Sequence, residues 1–217
     1  MNLEQARFNM IEQQIRPWNV LDSQVLHLLS VIKREDFVPQ AHRALAFVDM
    51  EVPLPGGQFM LSPRVEARML QDLALQKHER VLEIGAGSGY MAALLAHRAQ
   101  RVTTLEIHPE LCALARSNLQ KAGIHNAEVR QADGAKGSAL DAAYDVIVVS
   151  GSVAEVPAVL LSQLKPGGRL AAIVGEEPVM RATFVTRLDG ANYRTVQHWD
   201  TLAPRMLNFP EPSRFSF

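Results

Sequence analysis

Apolar residues recur at helical spacing through the first third of the chain. Further on they gather mostly in short unbroken runs. Phe8, Ile11 and Ile15 mark one face of a first helix, which Pro17 ends. Asp22 is placed to cap a second helix, with Val25, Leu28, Leu29 and Ile32 on its apolar side. Pro39, Pro53 and Pro55, with Gly56 and Gly57, make the next stretch an irregular crossing. A third helix follows Ser62, with Val65, Met69, Leu70 and Leu73 inward. Pro63 suits its first position, and the Ser62 hydroxyl suits the cap.

From Arg80 the pattern changes. VLEI (81–84), VTTLEI (102–107), DVIVVS (145–150) and LAAIV (170–174) have the continuous apolar character of buried parallel strands. AEVRQ (127–131) is a weaker strand candidate. MAALLAHRA and PELCALARSNLQKA lie between them with helical spacing. The alternation predicts an α/β fold, a doubly wound and mostly parallel Rossmann-like sheet behind an N-terminal helical extension. ATFVTRL and YRTVQHW flank the turn sequence DGAN and predict a C-terminal antiparallel hairpin. The tail FPEPSRFSF is expected to run extended against the body. The expected division is residues 1–76 as the extension and 77–217 as the α/β domain.

Composition narrows the function classes. The chain is 47% hydrophobic and 21% charged, ordinary for a globular protein. A formal net charge of −1 offers no basic footprint, so no nucleic-acid partner is expected. Cys112 is the sole cysteine, so no intrachain disulfide can form; it sits in the helical pattern ELCALARSNL and reads as a buried structural thiol. With no apolar signal segment at the start, a cytoplasmic location is expected. No apolar run is long enough to span a membrane, and the histidines lack metal-site spacing, so neither membrane nor metal is expected. The oligomeric state is left open.

The candidate chemistry begins at VLEIGAGSGY (81–90), a glycine loop between strand and helix. Gly85, Gly87 and Gly89 permit a tight turn and close approach of a ligand to the backbone. The dinucleotide fingerprint requires a glycine where Tyr90 stands. A carboxylate at Glu83 would repel a pyrophosphate and favour a cationic group. Both features argue against a nicotinamide dehydrogenase. Glu106 closes the next strand, 21 residues after Gly85, where a carboxylate can accept both hydroxyls of a ribose. Asp133 follows the weaker strand and overhangs the same crevice. Each acid alone also suits a helix cap or a solvated surface. As a set they point to a nucleoside ligand with an amino-acid-like or cationic part.

This set resembles the class I S-adenosylmethionine-dependent methyltransferases over about residues 78–175. The resemblance implies S-adenosyl-L-methionine as cofactor. Glu83, Gly85, Ala86, Gly87, Ser88 and Gly89 match that family's first motif. Glu106, followed by Ile107, matches its ribose ligand; Asp133, followed by Gly134, matches the residue that meets the adenine amino group. KPGGRL (165–170) is similar to the turn before its fifth strand. REDFVP (34–39), EVPLPGGQ (51–58) and the proline-led helix further resemble the protein-L-isoaspartate O-methyltransferases. That likeness implies methylation of the α-carboxylate of L-isoaspartyl residues in damaged proteins or peptides. The ester then cyclises and reopens, which repairs the chain.

Residues 1–76 would then include an acceptor loop of Gln58, Phe59, Met60, Leu61 and Ser62. Here the chain departs from the family pattern, which is roughly G-Q-T-I-S-Q-P or G-Q-T-I-S-A-P. The chain has G-Q-F-M-L-S-P, so the family's active-site serine falls on Leu61 and Ser62 comes one step late. No catalytic residue is assigned; Ser62 is either a helix cap or a substitute. Phe59, Met60 and Leu61 are expected to line a drier acceptor pocket. Arg16, Arg64 and Arg68 are candidates to face an acceptor carboxylate, with a solvated helix surface as the alternative for Arg68. The tail lacks the family's V-P-L-type strand. Two alternatives stay open: a divergent methyltransferase with another acceptor, and a cofactor-binding protein without chemistry.

Overall fold

The structure is a computed structural model that describes residues 2–138 and 143–211. Helix α1 (Leu3–Met10) is capped by the Asn2 side chain, which accepts from the Glu4 and Gln5 N–H groups. It passes into a π-helical turn over Ile11–Ile15 and a 3₁₀ turn over Arg16–Trp18. The expected apolar face is displaced here. Phe8 is 58% exposed, whereas Met10, Ile11 and Ile15 are buried. Arg7 takes the inward place instead, because its guanidinium pairs with buried Glu35. Helix α2 (Ser23–Val31) has Asp22 as its N-cap, accepting from Gln24 at 2.8 Å. A short hairpin, β1 (Val52–Leu54) with β2 (Gln58–Met60), leads into α3 (Pro63–Leu73).

A seven-stranded sheet follows. Its strands are β3 (Arg80–Ile84), β4 (Arg101–Glu106), β5 (Ala127–Gln131), β6 (Tyr144–Val153), β7 (Leu164–Glu176), β8 (Val179–Arg187) and β9 (Tyr193–Thr201). The spatial order is β5-β4-β3-β6-β7-β8-β9. The first five strands run parallel, and β8 and β9 add antiparallel at one edge. Helices α4 (Tyr90–Arg98), α5 (Pro109–Lys121) and α6 (Ala158–Ser162) connect the strands. The central strands are apolar on both sides because both faces are covered. Val81, Val146, Val148 and Ile173 pack beneath the N-terminal helices, and Leu82, Ile84, Ile147 and Val149 pack on the other face.

Chain order turns back at β3. From it the chain works outward through β4 and β5, then returns to β6 on its other side. The strand ends at this reversal open a crevice, the usual place for a ligand in such sheets. Beyond β9 the chain doubles back along that crevice. The Ser152 N–H donates to the Pro204 carbonyl at 2.7 Å, and the Met206 N–H donates to the Ser152 carbonyl at 2.9 Å. Phe209, the first residue of the expected extended tail, is buried, and residues 212–217 of that tail lie outside the described residues. Among the described residues, no helix is long and apolar enough to cross a membrane.

Candidate functional site

The glycine loop is tied to the end of β4. The N–H groups of Gly85 and Ala86 donate to the Leu105 carbonyl at 2.8 and 3.2 Å. Gly85 and Gly87 have φ of +90° and +51°, a region that only glycine enters freely. Tyr90, which breaks the dinucleotide pattern, turns away from the crevice. Its buried ring meets the edge of Phe37 at 5.3 Å and lies 5.2 Å from the Arg34 guanidinium. The residue that changes the fingerprint thereby anchors the N-terminal extension to the loop.

Glu106 is 5% exposed at the C-terminal end of β4. One carboxylate oxygen accepts from the Gly87 N–H at 2.9 Å, and the other from the His108 N–H at 3.0 Å. Each oxygen retains acceptor capacity for a further donor. Asp133 caps a 3₁₀ turn, accepting from the Ala135 N–H at 3.1 Å and from the Asn208 amide at 3.2 Å. Glu106, Ile107, Asp133, Gly134, Gly85 and Gly87 all line one crevice. The buried His108 Nε2 on its wall has no hydrogen-bond partner among the described residues. Two glycines in left-handed conformation, two acceptor carboxylates and a partnerless ring nitrogen fit a nucleoside ligand with polar edges.

Other expected residues lie off the wall. Ala86, Ser88 and Gly89 support the loop from behind; a Cβ on Gly89 would come within 3.2 Å of the Ala115 backbone. Glu83 requires a correction. Its side chain lies on the same sheet face as Val81, is fully buried, and accepts from the Ser150 hydroxyl at 2.7 Å. Burial pushes it up to about 8, so it is mostly neutral near pH 7. The steering charge expected of it is therefore largely suppressed at neutral pH, and Ser150, not Glu83, stands on the crevice wall. Glu66, also buried, is pushed up to about 7 by burial, with paired Arg34 acting in the opposite direction.

The acceptor loop divides. Gln58 and the exposed Phe59 line the crevice. Met60 and Leu61 do not, because they pack into the core; the Leu61 carbonyl accepts from Arg34 at 2.6 Å. Ser62 occupies the N-cap position, yet its hydroxyl makes no capping bond. The Ser62 carbonyl already takes the Val65 and Glu66 N–H groups, and Pro63 has none to give. Ser62 faces a second, open groove of about 470 Å³ with Glu51, Arg64 and Asp200.

None of the three candidate arginines is on the crevice wall. Arg16 pairs with Glu12 at 2.8 Å. Arg64 pairs with Asp49 at 3.0 Å and stacks 3.8 Å from the Trp18 ring centre. Arg68 is not a freely solvated surface group; it lies 5.1 Å from the Trp199 ring centre. Residues that sequence reasoning missed are His108, Leu111, Ser150 and the segment Pro204 to Leu207 with Phe209. Only Ser150 had any signal, as the last residue of an expected strand.

Comparison with known proteins gives the family and the fold. Residues 5–199 match the family model described as Protein-L-isoaspartate(D-aspartate) O-methyltransferase (PCMT). The chain is 43% identical over 184 residues to the protein-L-isoaspartate O-methyltransferase of Methanoculleus marisnigri, covering 85% of this chain and 84% of that one. It is 39% identical over 200 residues to protein-L-isoaspartate O-methyltransferase 2 of Marinobacter nauticus, covering 92% and 91%. Among solved structures, the fold is similar to that of a Plasmodium falciparum protein assigned to the same enzymes and crystallised with S-adenosyl-L-homocysteine. The TM-score is 0.79 at 18% identity, over 95% of this chain and 98% of that one.

Proposed function

Because the chain belongs to the protein-L-isoaspartate O-methyltransferase family, we propose that it methylates the α-carboxylate of L-isoaspartyl residues in damaged proteins or peptides, with S-adenosyl-L-methionine as donor. The observation that carries this reading is Glu106. Its buried carboxylate is aimed along the glycine loop by two backbone N–H groups and keeps lone pairs for a ribose. Asp133 would accept the adenine amino group in place of the Asn208 amide, with Ile107 and Gly134 beside it. Gly85 and Gly87 let the donor approach the backbone.

When bound, the donor supplies a sulfonium methyl: the acceptor oxygen bonds to that carbon while the C–S bond breaks and its electron pair passes to sulfur, leaving S-adenosylhomocysteine. An acceptor carboxyl with a pKa near ~4 is already the anion at pH 7. The protein therefore needs no general base, and burial of Leu61 removes no proton acceptor from the scheme. Its residues supply position and exclude water. The crevice is narrow, about 60 Å³, and the segment 204–209 forms much of its outer wall. Exchange of a nucleoside ligand requires that wall to move.

In this reading residues 1–76 form the acceptor side and 77–217 the donor domain. A cytosolic site of action fits the single, buried Cys112. The test is incubation with labelled S-adenosylmethionine and an isoaspartyl peptide, with its aspartyl twin as control. Base-labile methyl ester on the isoaspartyl peptide alone is expected. Equal labelling of both peptides, or of neither, would overturn the assignment.

A further inference from the structure

The crevice wall carries two carboxylates, Glu106 and Asp133, and among its described residues a single guanidinium or ammonium group, that of Arg205. An anionic acceptor brought to this site meets like charge unless a cation answers it. The backbone decides which way Arg205 faces. Arg205 bridges Ser152 in parallel register, and bridged residues share a sheet face. Ser152 is itself in register with Ile173, which packs in the core beneath the N-terminal helices with Met60 and Leu61. Arg205 thus extends on the acceptor-loop side of the sheet.

Its guanidinium is held but not saturated. Nη2 donates to the Gly175 carbonyl at 2.8 Å, and Nε lies 3.2 Å from a Glu211 carboxylate oxygen. Nη1 is buried and has no hydrogen-bond partner among the described residues. A buried donor left unsatisfied in this way calls for an acceptor. The segments that flank Arg205 also connect the two cavities. Residues 58–59 and 204–207 line the crevice, while Ser62 and residues 200–202 line the open groove. A polypeptide lying in the groove can therefore direct one carboxylate toward Arg205.

We propose that Arg205 binds the acceptor's carboxylate and holds it against the donor crevice. The inference rests on the carboxyl-methylation reading given above. The remaining Nη1 can give a carboxylate a charge-assisted hydrogen bond, and the two contacts that hold the rest of the guanidinium fix the direction of that donor. The neighbouring arginines cannot replace it: Arg34 is buried against Glu66, and Arg64 and Arg68 are stacked on Trp18 and Trp199.

The experiment is a binding cycle with the full chain saturated with S-adenosylhomocysteine. Calorimetry measures the affinity of an isoaspartyl peptide and of its analogue with the α-carboxylate replaced by carboxamide. Wild type is expected to prefer the carboxylate roughly 10- to 100-fold, the span of a charge-assisted hydrogen bond. Arg205→Met is expected to bind both peptides alike, and Arg205→Lys to keep part of the preference. Retained S-adenosylhomocysteine binding shows that each variant is folded. A merely structural role would weaken both peptides equally and leave the preference intact. A full preference in Arg205→Met therefore overturns the assignment, as does no preference in wild type. The function stands apart from this: wild type that forms no ester on the isoaspartyl peptide fails the underlying reading, whereas ester formation with an intact preference in Arg205→Met fails the Arg205 proposal alone.

Discussion

Replacing Glu83 with Gln removes one titratable carboxyl from a site with no exposure to solvent. One of its oxygens accepts from the Ser150 hydroxyl at 2.7 Å, and hydrogen bonding by Thr104 and Ser150 favours the charged form less than burial opposes it. Burial raises the folded-state pKa to about 8, against 4.5 for an unburied glutamate. Between those two values the folded protein holds a proton that the unfolded chain has released. The group's contribution to stability is thus fully present below about pH 4.5, is lost as pH rises, and levels off above about pH 8. The slope in that window is about 1.4 kcal/mol per pH unit for one proton. A glutamine of the same shape does not titrate. The stability of Glu83→Gln relative to wild type should therefore rise by about 4 kcal/mol between roughly pH 5 and pH 8. Glu66 titrates in both proteins and cancels in the difference to first order. Urea unfolding followed by circular dichroism at four pH values measures it. Parallel stability curves for the two proteins would show that Glu83 is ionised in the fold, and the account of its burial would be wrong.

Leu61→Ala should destabilise the protein by about 2–4 kcal/mol, as for other buried leucines, and leave the affinity for S-adenosylhomocysteine unchanged; a large loss of that affinity would mean that Leu61 reaches the crevice. Leu61→Ser should not raise isoaspartyl turnover, because the side chain at this position packs into the core; a gain measured with labelled donor would contradict its placement. Glu106→Gln should weaken S-adenosylhomocysteine binding roughly 10- to 100-fold through loss of a charged acceptor. Unchanged calorimetric affinity would remove Glu106 from the donor site.

Local pattern was enough for the elements that carry their own signal in periodicity, turn residues or a cap. The strand at 127–131 coincides with β5, and Asp22 caps α2 as its side chain allows. The flanks of the DGAN turn became β8 and β9, and Gly85 and Gly87 line one crevice with Glu106 and Asp133. These features depend on neighbours within a few residues, or on a chain order that admits few topologies. Tertiary packing decided the rest. Whether Glu83 carries a charge depends on its burial in the assembled sheet, which the strand's own sequence does not reveal. Phe8 lost its inward place to Arg7 because Glu35 was there to pair with it. Leu61 and Ser62 are adjacent, yet one packs in the core and the other faces a groove, since the turn into α3 separates their environments. The wall formed by Pro204 to Leu207 shows no periodicity at all. Its position comes from two backbone hydrogen bonds to Ser152, made only after the sheet has brought residues about fifty positions apart together.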